Sequence, residues 1–365
     1  MSRRLSNLSA AILASEWSPT LQQCLLAERA IYFGRKGSNE LARADLIEIE
    51  RISHIPDIRV SAMRNISLGV IDFYCADGNQ SIDKATRAYS LASAGGLTRE
   101  RALSAAWLSH FFDVRHDVKS ACKFAAEALA LALPNAHDIR ARAGLVVAQN
   151  LGIAGRPDLA AAWYSDVLLH ANAIGDELTI SALIFNRSVA RVSCWRQSRL
   201  QFNQDCVQAS VEFAAAASAA DFDVMIENHG LENLNPLLLA QIFSLRNSYK
   251  EASEIYSVYL PKEDYALRMQ ADFVADHAVC LYHLGREAEA RATMDIAISK
   301  LISDTHPDDR AATFSRAANL YRELGDKELS KHYAAVAIAL WEEYSKLQVK
   351  MVEMFAEIPL ESYSK

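Results

Sequence analysis

Small and large apolar residues recur along this chain at fixed distances from a series of turn residues. Ala318 and Tyr321 lie seven and four positions before Gly325, while Ser330 and Ala334 follow it by five and nine. The same spacing around Gly285 finds Ala278, Leu281, Ala290 and Met294, and around Gly155 it finds Ala148, Leu151, Ala160 and Tyr164. Gly37 (Ala30, Phe33, Ala42, Leu46), Asn247 (Ala240, Phe243, Ala252, Tyr256) and His116 (Ser109, Phe112, Ala121, Ala125) obey it too. Steps of three and four place such residues on one helix face. Each anchor therefore predicts a helical hairpin. Small residues let the two helices approach closely, the large one fills the groove between them, and Gly or Asn suits a left-handed helix end.

Two more hairpins fit less closely. Gly78 follows Ile71 and Tyr74, but its second helix needs about two extra residues to bring Ala85 into place. Residues 177–220 hold two apolar helical stretches around the turn-like CWRQSRL. The count is then about eight hairpins, with no strand-like alternation. Prolines agree with it. Pro56, Pro134, Pro261 and Pro307 fall between hairpins, Pro157 opens a second helix, and Pro19 and Pro359 lie near the limits of the array. Pro236, after ENHGLENLN, predicts an irregular or broken first helix in the sixth hairpin.

The stretches ANLYRELGD and VAQNLGIAGRP resemble the tetratricopeptide repeat, with its L-G-x2-Y, turn and A-x3-F pattern. The usual first-helix tryptophan is absent, and the final proline is mostly missing. The spacing is also longer, as in tetratricopeptide-like regions of bacterial signalling and regulatory proteins. The resemblance implies an all-α, right-handed superhelical solenoid, with one continuous array over residues 1–348. Residues 349–365 would extend the capping helix and form a tail.

Composition narrows the function. Hydrophobic residues make up 51% and the formal net charge is −7, which suits a large core and argues against nucleic-acid binding. No apolar run is long enough to span a membrane. MSRRLSNLSAAILASEW reads as a first amphipathic helix in preference to a secretory signal. The six cysteines form no C-x-x-C pair, which suits a reducing cytoplasm.

Nucleophilic, phosphate-binding and zinc motifs are missing, so no enzyme, metal or cofactor is expected. Asp221 and Asp223 lack the other ligands of a calcium loop. The segment His306-Pro307-Asp308-Asp309 reads as a solvated linker with a helix cap, and His277 as a core histidine.

Binding is expected on the concave face, which first helices line in such superhelices. Side chains three, six and nine positions before each turn should point there. They include Trp107, His110, Asp113, Gln149, Gln241, Asp276 and Tyr282. Arg316, Asn319 and Arg322 form a possible polar ridge for a carboxylate or a peptide backbone, against the plainer reading of a solvated face. Trp107 likewise reads either as a ligand contact or as packing. In the last helix, Trp341, Tyr344, Leu347, Met351, Met354, Phe355 and Ile358 form a long apolar stripe. It serves as a cap or, by its excess length, as a homodimer or partner contact. The chain therefore reads as a non-enzymatic, cytoplasmic adaptor or regulatory module that binds a protein or peptide. The alternative is a sensor that closes around a small molecule or signalling peptide. A closed aromatic pocket near Trp107 and Tyr282 would favour the sensor, and an open polar ridge the adaptor.

Overall fold

The computed structural model describes every residue except 1, 53–56, 76–77, 79, 203–208, 231–233, 261–269, 302–304 and 361–365. The described residues form helices and connections, with no strand. After α1 (Arg3–Ala14) come α2 (Pro19–Lys36), α3 (Asn39–Ile52), α4 (Ile58–Cys75), α5 (Ser81–Ala94), α6 (Thr98–Val114), α7 (Val118–Leu131), α8 (His137–Ile153) and α9 (Pro157–Ile174). The second half holds α10 (Glu177–Phe202), α11 (Ala209–Met225), α12 (Leu234–Leu245), α13 (Tyr249–Tyr259), α14 (Gln270–His283), α15 (Glu287–Ser299), α16 (Pro307–Glu323) and α17 (Lys327–Ala356). From α2 onward they pair into eight hairpins.

All six anchor residues have left-handed backbone, with φ of 81° at Gly37, 59° at His116, 77° at Gly155, 62° at Asn247, 77° at Gly285 and 81° at Gly325. The amide after each anchor donates to the carbonyl of the large residue four before it, as in Asp326 to Tyr321 (2.9 Å) and Arg286 to Leu281 (3.0 Å). This closes the first helix and satisfies an otherwise orphaned carbonyl. Gly78 is left-handed as well (69°), and α5 starts one residue later after its anchor than the regular second helices do. The small slots are buried: Ala30, Ala42, Ala121, Ala148, Ala240, Ala252, Ala278 and Ala290 are closed off between their helices. At two hairpins the approach is close enough for a hydroxyl to reach across. Ser109 donates to the Ala121 carbonyl (3.0 Å) and Ser330 to that of Ala318 (2.9 Å).

Two local expectations are corrected. CWRQSRL is no turn, because α10 runs through it to Phe202. Nor is the first helix of hairpin six broken. Pro236 sits in the first turn of a short α12, where its missing N–H costs nothing. Pro19 and Pro307 open α2 and α16 in the same way, whereas Pro56 and Pro261 lie outside the described residues.

The array winds until non-successive hairpins touch. The α17 helix packs on α7 and α8, and α10 packs on α16. Arg3 donates to the Asn172 carbonyl (2.6 Å) at the end of α9, and the His229 amide donates to the Lys36 carbonyl (3.1 Å). One apolar core runs through the first four hairpins and takes in Met351, Phe355 and Ile358 from the chain's end. The boundary expected between residues 348 and 349 falls within α17, which continues without a break. No helix among the described residues is long and apolar enough to cross a membrane.

Candidate ligand-binding face

The residues expected on the inner face do not form one groove. Asp276 and Arg316 stand nine positions before their turns in successive hairpins, and they meet each other. Arg316 Nε donates to Asp276 Oδ1 at 2.6 Å, and both residues are buried. Arg316 Nη2 and Asp276 Oδ2 are left buried without a partner. Asn319 and Arg322 stay exposed, and Arg322 hydrogen-bonds Glu323 (3.3 Å). The ridge is therefore split, with one arginine turned inward to a carboxylate and two residues left at the surface. Tyr282 is half-buried against the α14–α16 core and lies edge-on to His283. Gln149 is half-buried, and buried Gln241 donates to Asp272 Oδ2 (3.2 Å).

In α6, Trp107 is buried against Phe111 and His110. Half-buried Asp113 accepts from Asn150 (2.6 Å), and burial pushes its carboxyl up to about 6. His277, half-buried, sits within hydrogen-bonding distance of Ser253 (3.2 Å), and burial lowers its pKa to about 4.

Two polar centres emerge that single-hairpin reasoning could not assemble. The first lies inside hairpins one, three and four. A cavity of about 40 Å³ there is bordered by Glu28, Tyr32, Arg35, Trp107, Asp138 and Arg142. Arg35 donates to Asp176 (2.8 Å) and Thr179 (2.8 Å), across more than 140 residues of sequence. Burial would raise the Asp176 carboxyl, but the charge and hydrogen bond of Arg35 outweigh it and bring the pKa down to about 2. The guanidinium of Arg142 lies over the Trp107 ring, 4.3 Å from its centroid.

The second centre joins the superhelical turns. Arg196 of α10 donates to Asp272 (2.5 Å) at the start of α14, and to Asp308 (2.7 Å) and Asp309 (2.8 Å) at the start of α16. His306 bonds to Asp308, and its ring lies beside that of His116 at 4.6 Å. Burial opposes protonation of His306, yet the adjacent carboxylates hold its pKa above the ordinary value. The segment 306–309 is thus a correction: it is a buried ionic junction, where a solvated linker was expected. Three buried carboxylates beside one arginine cannot all be fully compensated, and Asp309 is pushed up to about 6 by burial and by Asp308.

Arg142 and Asp272 both stand thirteen positions before their turns, one helical turn beyond the last position counted from the sequence. The two arginines, Arg140 and Arg142, at the head of the otherwise apolar RARAGLVVA of α8 were the available signal for the first. Arg196 had none, because its hairpin lacks the register.

The apolar stripe of α17 is covered by the chain itself. Trp341 donates to Ser315 (3.0 Å) and the Tyr344 hydroxyl to the Ile153 carbonyl (3.2 Å), while Met351 and Phe355 are closed in the core. These side chains offer no free face to a second copy. The opposite side exposes Ile338 and Val349.

The arrangement has counterparts among solved structures. The fold is that of a tetratricopeptide-like helical solenoid. The chain is similar to the Rap protein complexed with competence and sporulation factor, at TM-score 0.58 and 13% identity, over 92% of this chain and 88% of that one. It is also similar to NprR in complex with its cognate peptide NprX, at TM-score 0.54 and 13% identity, over 92% and 94%. No family model and no curated sequence matches the chain.

Proposed function

We propose that this protein is a non-catalytic regulatory module whose tetratricopeptide-like superhelix binds a short peptide on its inner face. The observation that carries the reading is the likeness over nine-tenths of the chain to two proteins, each solved with a factor or cognate peptide bound. The inner face supplies suitable chemistry, in the half-satisfied Arg316–Asp276 pair and the polar cavity beside Trp107. Buried amides and charges of this kind hold peptide backbone and side chains in fixed orientation.

The sensor form of this reading is favoured by the Arg196 junction. It ties α10 to α14 and α16 and would be strained or relaxed by any change in superhelical pitch. A ligand that binds one pitch better shifts the population toward it, and a partner protein could read the difference. A cytoplasmic setting suits the free cysteines Cys24, Cys122 and Cys280.

The test is native mass spectrometry of the full chain with a synthetic pool of random hexapeptides. One-to-one complexes are expected, and they should weaken when Arg316 and Asn319 are both changed to Ala. Absence of any retained peptide, in a chain shown to be folded by circular dichroism, would overturn the reading. Retention unchanged in the double variant would remove Arg316 and Asn319 from the site.

A further inference from the structure

The carboxylates around the cavity in hairpins one, three and four are already matched by arginines. Glu28 pairs with Arg4 (3.2 Å) and Arg99 (3.1 Å), Asp138 with Arg99 (2.9 Å), and Asp176 with Arg35 (2.8 Å). One cation is left over. Arg142 is 4% exposed and forms no ion pair among the described residues. Its polar company is the Tyr74 hydroxyl, while Asp176, the nearby carboxylate, is engaged by Arg35 and Thr179. Burial, and after it the like charge of Arg35, lowers the pKa of Arg142 to about 10. An unpaired charge held out of water is costly, and it persists in a fold when something other than stability requires it.

The space in front of Arg142 has a definite size. At about 40 Å³ it holds roughly three waters, which is the room a carboxylate group takes. The Trp107 ring lies against the guanidinium, 4.3 Å from its centroid, and both side chains border the cavity, where a guanidinium suits a planar, two-oxygen acceptor.

We propose that this cavity is a subsite for a ligand carboxylate, received by the Arg142 guanidinium on its Trp107 platform. The inference rests on the peptide-binding reading and deepens it: the bound peptide places an acidic group here, either its C-terminal carboxylate or an Asp or Glu side chain. The ligand supplies the anion that the fold withholds from Arg142.

Three synthetic hexapeptide pools test this by native mass spectrometry: free C-termini without Asp or Glu, amidated C-termini with Asp and Glu, and amidated C-termini without either. The last pool should be retained about tenfold less than at least one of the others, the loss of one charge-assisted hydrogen-bonded pair. The better of the first two pools identifies which carboxylate enters. Arg142→Gln should abolish the preference. Arg142→Met, which keeps the stem over Trp107, should do the same and should melt no lower than the parent chain without ligand, because it removes an unpaired charge. Equal retention of all three pools by the parent chain would overturn the subsite while leaving peptide binding intact. If no pool binds, thermal melts in acetate against chloride at matched ionic strength decide. A rise specific to acetate that is lost in Arg142→Gln keeps the subsite without the peptide, and no rise overturns it.

Discussion

At the scale of single residues, buried charge is the main risk in this fold and its main source of specificity. Arg35 shows how the balance is struck. Its pair with Asp176 is buried, and the depressed Asp176 carboxyl says that the attraction of Arg35 outweighs the desolvation of that carboxylate. The sign of the linkage follows from that depression. The folded carboxyl titrates near 2 and the unfolded one near 3.8, so the stabilisation is present above the unfolded value. It is lost as pH falls from about 4 through about 2. Arg35→Gln should therefore lower stability at neutral pH by at least about 2 kcal/mol and flatten that acid limb, as measured by urea denaturation at stepped pH. Arg196 is the more exposed weakness. Arg196→Ala leaves three carboxylates buried together and should cost about 3–5 kcal/mol in the same measurement.

Turn residues carry a smaller, cleaner penalty. A Cβ at Gly325 would meet no atom within 4 Å, but the backbone there has φ of 81°. Gly325→Ala should cost about 1 kcal/mol through backbone strain alone, visible as a lowered denaturation midpoint.

At the scale of elements, the hairpin is a unit whose rules are local, and α17 is where those rules end. Its first half completes the eighth hairpin. Its second half reaches the turn ends of hairpins three and four, where Gln348 donates to the Ile153 carbonyl (2.9 Å) and Phe355 is fully enclosed. Removing residues 349–365 should therefore destabilise the first four hairpins, a loss that a simple dimer contact would not produce. Phe355→Ala is the milder version and should cost about 3–5 kcal/mol by the cavity it leaves. Sedimentation of the same variants tests whether oligomeric state depends on this segment at all. The repeat pattern predicted the hairpins other than the fifth through contacts spanning roughly twenty residues. It failed in hairpin five for the same reason, because α10 takes its partners from α16, 112 residues and more away.

At the scale of the whole molecule, the winding of the array decides which residues share a site. Each hairpin rotates slightly on the last, and the sum of these rotations brings hairpin eight against hairpins three and four. The Arg196 junction ties hairpin five to hairpins seven and eight, and the cavity at Arg142 is bordered by hairpins one, three and four, so each gathers residues from non-successive hairpins. Ligand binding that changes the pitch should alter amide exchange at α10 and the start of α16 ahead of the hairpin interiors, as hydrogen exchange would measure.

Outside hairpin five, the sequence by itself determined the hairpins, their turn residues and their small-residue seams. Helix periodicity and left-handed helix ends act within one repeat, so they are written in adjacent residues. The sequence also led to the expectation that Trp107, Asp276 and Arg316 face inward, and all three are buried. Only the tertiary structure decided the partners: Arg316 spends its guanidinium on Asp276, while Arg142 forms no ion pair among the described residues. The pairings Arg35–Asp176 and Arg196–Asp308 depend on superhelical pitch, a sum of small rotations that no single repeat records.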